Sequence, residues 1–138
     1  MAIDQDIPEQ AKTFHARLGL MYARSLELER RTLYGPDAQL RLYSIAPGAS
    51  RTLLATLAED ANGKAGFSVR MEFAGGGIEA WSGQILSTFI TWVVIQKVSE
   101  IELMRHDETL QRFKVTSLTR PIDAAHVYRI QLQPVQNI

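Results

Sequence analysis

The stretch Gly83–Met104 reads GQILSTFITWVVIQKVSEIELM and contains the most apolar segment of the chain. All eight residues from Thr88 to Ile95 are β-branched or aromatic. Such side chains lose rotamer freedom in a helix but pack well on a pleated sheet, so this composition predicts a strand.

Alternation along this strand would give it two apolar faces, with Phe89, Val93 and Ile95 on one and Ile90, Trp92 and Val94 on the other. A strand that is apolar on both faces is typical of the middle of a sheet. We therefore expect it to be the central strand, and we expect both Val93→Asp and Trp92→Asp to damage folding or association.

The segment before residue 36 predicts a long N-terminal helix that covers the sheet. Asp6 can cap its start, Pro8 fits its first turn, and Gly35-Pro36 ends it. Apolar residues spaced by three and four form one stripe, which comprises Ala11, Phe14, Leu18, Met21, Tyr22, Leu26 and Leu33. At about 25 residues the helix would be roughly 37 Å long. It would either wrap one face of the sheet or project into a partner.

Residues 50–61 permit two interpretations. Leu53, Leu54 and Leu57 match helical spacing, whereas Asn62-Gly63 at the end is also a strong hairpin signal. The Leu and Ala content favours a short second helix over a hairpin arm.

Alternating or β-rich segments predict the remaining strands, at Gln39–Ile45, Phe67–Phe73, Ile78–Trp81, Val98–Met104, Arg112–Leu118 and His126–Pro134. In the last of these, Tyr128, Ile130 and Leu132 form the inward set. The sequence therefore predicts a single α+β domain over residues 1–138. The long helix and the short second helix would pack on a mostly antiparallel, strongly curved sheet of five to six strands. The second apolar face of the central strand requires closure of that sheet or another subunit.

The charge balance excludes several classes of function. Fifteen basic and fifteen acidic side chains give a net charge of zero, which offers no reason to expect nucleic acid or an anionic membrane as a partner. The absence of Cys excludes disulfides, thiol catalysis and Cys-ligated metals. The N-terminus lacks a signal-peptide pattern, and the most apolar window, Ile85–Ile95, is too short to cross a bilayer. We expect a soluble, cytoplasmic protein, or a particle-associated one if its source is viral.

No motif indicates catalysis, a cofactor or a metal. The histidines His15, His106 and His126 lack the spacing of a metal pair, and Gly75-Gly76-Gly77 lacks the pattern of a phosphate loop. Glu100 and Glu102 lie two apart on one face of a strand, as paired catalytic carboxylates can. Their alternation with apolar residues instead indicates a solvated face.

Two sets of residues are candidates for binding. Arg17, Arg24 and Arg31 are seven apart and share one helix face, which suits a subunit interface together with Trp81 and Trp92. Nucleic-acid binding by these arginines is a minor alternative. If the sheet curls against the helix, an apolar ligand could enter a pocket lined by Trp92, Phe113, Tyr128, Tyr43 and His126.

We therefore expect a non-enzymatic assembly or interaction protein that forms a homo-oligomer, with other protein subunits as further partners. The size and composition also fit a small structural component of a phage or mobile element. The alternative is a curled α+β domain, an enzyme or ligand carrier, that binds a small molecule in the aromatic pocket. The alternatives differ in one respect, since only the first needs a second subunit to cover an apolar face.

Overall fold

The computed structural model describes residues 9–48, 50–74, 78–120 and 127–135, with the backbone alone at 9–20, 73–74 and 78–79. Within these residues it contains one helix of several turns, seven strands and one four-residue helix. Their bounds are α1 Glu9–Tyr34, β1 Ala38–Ala46, β2 Ser50–Leu57, β3 Phe67–Ala74, β4 Ile78–Leu86, α2 Trp92–Ile95, β5 Glu100–Arg105, β6 Glu108–Thr119 and β7 Val127–Pro134.

The strands of the described residues form one antiparallel sheet in the order β2-β1-β5-β6-β7-β4-β3. The α+β class is therefore confirmed. The prediction of five to six strands is wrong, because the sheet has seven.

The additional strand lies in residues 50–61, where the prediction of a second helix is wrong. Ser50–Leu57 forms β2 and pairs with β1. A β-bulge leaves Leu54 outside the ladder, because the pairing passes from Leu42–Ala55 to Tyr43–Leu53. Helix propensity is a weak preference, and the ladder with β1 overrides it here.

The apolar run Thr88–Ile95 is not a strand either, so the predicted central strand is wrong. It begins as a turn in which the amide of Phe89 donates to the carbonyl of Leu86 at 3.0 Å. It ends as α2, where the hydroxyl of Thr91 accepts a hydrogen bond from the amide of Val94 at 3.4 Å.

The topology explains why this run is apolar. It connects β4 to β5, which are separated in the sheet by β7 and β6, so it must cross about 14 Å of sheet. Ile90 and Ile95 fill the core along this crossing and are 6% and 1% exposed, whereas Val93 is 63% exposed. The run closes one part of the core and does not pair with any strand.

The connection between β2 and β3 requires the sheet to curve. These strands are the two edges, six strand spacings apart, which is about 29 Å in a flat sheet. Residues 58–66 connect them and include a turn in which the amide of Asp60 donates to the carbonyl of Lys64 at 2.9 Å. A chain of this length that also turns does not span a flat sheet, so we infer that the two edges approach each other.

Helix α1 packs on the sheet with a face that is largely polar. Leu26, Glu27 and Arg30 are 3%, 9% and 0% exposed, and Tyr34 packs against the core. Of the described residues in the predicted apolar stripe, Leu26 is buried, whereas Met21, Tyr22 and Leu33 are exposed. Among the side chains of α1 that the structure describes, Glu29 and Tyr34 make hydrogen bonds to strand β3.

The predicted alternation is confirmed in β7, and in β3 it holds for Phe67 and Val69 but not for Met71, the next residue of the same set, which is 59% exposed. Tyr128, Ile130 and Leu132 of β7 are 4%, 1% and 4% exposed and belong to one continuous apolar core. Phe67 of β3 and Phe113 of β6 are fully buried in the same core. The core is thus assembled from the inner face of the whole sheet.

Candidate functional site

The outward side of α1 carries an apolar row that the domain does not cover. Met21 and Leu28 lie two turns apart and are 63% and 67% exposed. Ser25 and Thr32 lie between and beyond them at a spacing of four and three, and both are exposed. We call these four residues, Met21, Ser25, Leu28 and Thr32, the outer stripe of α1.

The outer stripe lies opposite the face that α1 buries. A helical residue advances by about 100° around the axis, so Met21 and Leu28 lie nearly half a circle from Arg30. Tyr22 and Leu33, three turns apart, add two exposed apolar side chains on one flank, at 48% and 51%. The described part of α1 therefore leaves four large apolar side chains exposed, Met21 and Leu28 on its outer side and Tyr22 and Leu33 on one flank.

Two of the predicted interface arginines line a cleft beside the outer stripe. Arg24 and Arg31 contribute to it together with Leu28 and the turn Asn62–Lys64, and its volume is about 410 Å³. Arg31 is bound to Glu59 through two hydrogen bonds, Nε to Oε2 at 2.9 Å and Nη2 to Oε1 at 2.6 Å. This pairing raises the pKa of Arg31. The side chain of Arg17 lies outside the described residues.

A buried ionic cluster fixes α1 to the connection between the edge strands β2 and β3. Arg30 donates to Glu59 at 2.8 Å and to Glu27 at 2.5 Å. Glu27 also accepts hydrogen bonds from the backbone amides of Ala65 and Gly66, at 3.1 and 2.8 Å. Each buried charge of the cluster thus has a partner of opposite sign, and removing one partner would leave a buried charge unpaired.

The fit at Gly66 shows how closely the α1 side of the core is packed. Its φ of +77° lies in the left-handed region, and a Cβ there would lie 2.3 Å from Cγ of Phe89. Only glycine accommodates both the backbone conformation and the ring. The sequence offered one signal for the cluster, the spacing of three between Glu27 and Arg30, and none for Glu59.

The carboxylates Glu100 and Glu102 are buried, so the predicted solvated face is wrong. They are 6% and 8% exposed. Arg112 holds Glu100 through Nε at 3.0 Å and Nη2 at 2.6 Å, and Arg51 lies 3.3 Å from the same oxygen.

Glu102 is held by neutral donors. It accepts hydrogen bonds from the hydroxyls of Tyr43 at 3.1 Å and Thr109 at 2.8 Å. The guanidinium of Arg51 lies 4.0 Å from the centre of the Tyr43 ring and so joins the two carboxylates into one network. Each carboxylate is engaged by donors of the protein itself, an arrangement suited to holding strands β1, β2, β5 and β6 together.

The predicted pocket residues do not converge on one cavity. Phe113 and Tyr128 are core residues at 0% and 4% exposure, and the ring of Trp92 lies 5.6 Å from that of Tyr128. Tyr43 points to the opposite face of the sheet, because its strand partner Glu100 pairs with Lys114 and not with Phe113. His126 lies outside the described residues.

The two tryptophans of the predicted interface pack within the domain. Trp81 lies 5.1 Å from the ring of Phe113. Trp92 lies under the guanidinium of Arg120, which is 5.3 Å from its ring. Both rings are half-buried.

A second cleft, of about 370 Å³, lies at the β5–β6 turn. Asp37, Glu59 and Asp107 contribute to it with His106, whose Nε2 is 3.5 Å from Oδ2 of Asp37. His106 and Asp107 have φ of 52° and 60°, which are the values of a tight two-residue hairpin turn. Within the described ranges no group of three or more His, Asp or Glu side chains is placed to hold a metal.

The described residues thus form an α+β domain in which one helix packs on a curved antiparallel sheet. The outer stripe of this helix is exposed to solvent. Comparisons with protein-family models, with curated proteins and with solved structures found no match to this chain. None of the helices in the described residues is both long and apolar enough to span a membrane.

Proposed function

We propose that this protein is a non-enzymatic assembly protein that forms a homo-oligomer through the outer stripe of α1. One observation carries the proposal. Met21 and Leu28, on the side of α1 that faces away from the sheet, are about two thirds exposed, while the sheet completes its core without them. Removing such side chains from water on association stabilises the complex.

The spacing of the stripe suits a partner helix. Steps of four and three along Met21, Ser25, Leu28 and Thr32 are those of a helix–helix seam. Arg24 and Arg31 lie along one flank, where arginine is enriched in protein interfaces. The small polar residue Ser25 permits close approach of a second helix between the two apolar contacts, and Thr32 does so beyond Leu28.

The alternative, an aromatic pocket for a small ligand, has less support. It requires Phe113, Tyr128 and Tyr43 to face one cavity, but two of them are packed in the core and the third lies on the other face of the sheet. The idea that the assembly belongs to a phage or mobile element rests on size and composition and stays a prediction.

The proposal is tested by Leu28→Glu, with Val93→Glu as the matched control. Both positions are exposed, at 67% and 63%, and both changes add one negative charge. We expect Leu28→Glu to lower the average mass in sedimentation velocity and to leave the thermal midpoint of the monomer unchanged. Val93→Glu should keep the mass of the unmodified protein. Equal masses for all three proteins, as multimers, would show that the stripe is not the interface.

A further inference from the structure

We infer that β2, on the side away from β1, pairs antiparallel with β2 of a second copy, so that two sheets join into one. This inference rests on the proposed function and names a second contact of the same assembly. The partner of this edge is a second copy of the same chain, because the edge of β2 can pair with an identical edge without bringing like charges together.

The two edge strands of the sheet differ in their contacts with α1. The edge of β3 is covered by α1, whose Tyr34 hydroxyl donates to the carbonyl of Val69 and whose Glu29 accepts from the hydroxyl of Ser68 at 2.8 Å. The other edge, β2, pairs with β1 on one side. Among the described residues no second strand pairs with its other side. An uncovered strand edge presents backbone donors and acceptors that another strand can satisfy.

The protections common on edge strands are largely missing from β2. Its sequence, SRTLLATL, has no Pro and one charged residue. That residue, Arg51, is directed over the ring of Tyr43 and toward Glu100. It therefore lies on a face of the sheet and does not guard the edge. The bulge at Leu54 divides the strand, and the four residues before it, Ser50–Leu53, are all exposed.

The exposed segment belongs to a hairpin arm that extends past its neighbour. Pairing of β1 with β5 ends at Tyr43, whereas pairing with β2 continues to Ala46. The arm exposes Ile45 and Leu53 at 43% and 51%. Two arms that meet edge to edge would pair their backbones and place a neighbouring strand beside Leu53.

Charge permits β2 to pair with itself. A two-fold axis generates an antiparallel pair in which each residue meets its counterpart across the axis. With a single charged residue in the strand, every register places Arg51 opposite an uncharged residue unless the axis passes through Arg51 itself. No like charges then face each other, which is the condition for favourable cross-strand pairs.

The test uses the absence of cysteine from the chain. Single-cysteine variants at each position from Ser50 to Thr56 are oxidised with a mild copper–phenanthroline reagent and analysed on non-reducing gels. A disulfide needs Cβ atoms about 4 Å apart, so only residues at the two-fold axis cross-link. We expect a dimer band with one maximum within Ser50–Leu53. Thr119→Cys, exposed on the interior strand β6, is the control and should give no such band.

A second pair of variants tests the same contact by adding a charge. Leu53→Glu places a charge on the arm, and Leu110→Glu places the same charge at a β6 position of similar exposure, 44%. We expect Leu53→Glu to abolish the cross-link of a nearby cysteine and to lower the mass, and Leu110→Glu to change neither.

The outcomes separate this inference from the proposed function. A multimer that shows no β2 cross-link above the Thr119→Cys level overturns the inference and leaves the proposed function standing. A protein that is monomeric at every concentration overturns both.

Discussion

Arg30 of α1 donates a hydrogen bond to Glu59 across 2.8 Å, and its guanidinium carbon lies 5.8 Å from the ring centre of Phe67. Glu59 follows β2 and Phe67 begins β3, so one side chain links the two edges of the sheet. Arg30 is fully buried, and its Nε has no hydrogen-bond partner among the described residues. The same side chain therefore holds α1 in place and contacts residues next to both edges of the sheet.

We expect Arg30→Met to destabilise the fold strongly. Methionine fills most of the volume but leaves the carboxylates of Glu27 and Glu59 without their buried cation. Removing one partner of a buried ion pair costs about 3–5 kcal/mol. Urea unfolding measures the change, and Arg31→Met is the control because Arg31 binds the same Glu59 from the surface. Equal losses in the two variants would contradict a central role for Arg30.

Stability should fall in acid because of Glu59. The hydrogen bond from Arg31, followed by that from Arg30, holds the pKa of Glu59 below its ordinary value of 4.5. A carboxyl whose pKa is lower in the folded state contributes stability above its unfolded pKa and loses it as the pH falls through its folded pKa. We expect the free energy of unfolding to decrease below about pH 4.5, and Glu59→Gln to reduce that slope. An unchanged slope in Glu59→Gln would exclude Glu59 as its source.

The phenol of Tyr34 should lose its proton at a higher pH than an ordinary tyrosine. Burial, with a smaller contribution from Glu29, raises its pKa to about 12. A group with a raised pKa stabilises the fold below its unfolded pKa and loses that contribution as the pH rises through the folded value. Absorbance at 295 nm should show one of the four tyrosines titrating near pH 12.

Tyr34→Phe should remove that late step and lower stability by about 1 kcal/mol, the net value of one hydrogen bond. Tyr22→Phe, at an exposed position of the same helix, should do neither. A late titration that persists in Tyr34→Phe would contradict the assignment.

Two positions in the connection from β4 to β5 should respond differently to an added charge, because one is buried and the other is exposed. Ile95→Asp introduces a charge at a site that is 1% exposed and should prevent folding or cost several kcal/mol. Val93→Asp, two residues away at 63% exposure, should change stability by less than about 0.5 kcal/mol. Thermal unfolding of both variants checks this, and a severe loss in Val93→Asp would restore the interpretation of this run as a central strand.

Local patterns predicted the strands whose alternation reflects one buried face. The rule holds for Phe67 and Val69 of β3 and for Tyr128 and Ile130 of β7, which are buried. Successive side chains of a strand point to opposite faces, so the local pattern is sufficient to group them, and the neighbouring strands decide only which face is buried. The run Thr88–Ile95 could not be read this way. Its composition suits a strand, but its place between two strands that are not adjacent makes it a crossing segment, and that topology is not visible in local sequence.

The face that α1 buries was equally inaccessible to pattern analysis. Hydrophobic spacing assigns the apolar stripe to the core, yet the helix buries Glu27 and Arg30 because Glu59 and the amides of Ala65 and Gly66 satisfy them. Those partners lie about thirty to forty residues away in sequence. Of the described stripe residues Leu26 is buried beside Glu27 and Arg30, whereas Met21 is exposed and becomes part of the candidate interface.

The most direct measurement is the solution mass of the unmodified protein, by light scattering behind a sizing column at two concentrations. We predict a discrete multimer of the 15.5 kDa chain that persists on tenfold dilution. A single species at 15.5 kDa at both concentrations would contradict the proposal that the outer stripe of α1 is a subunit interface.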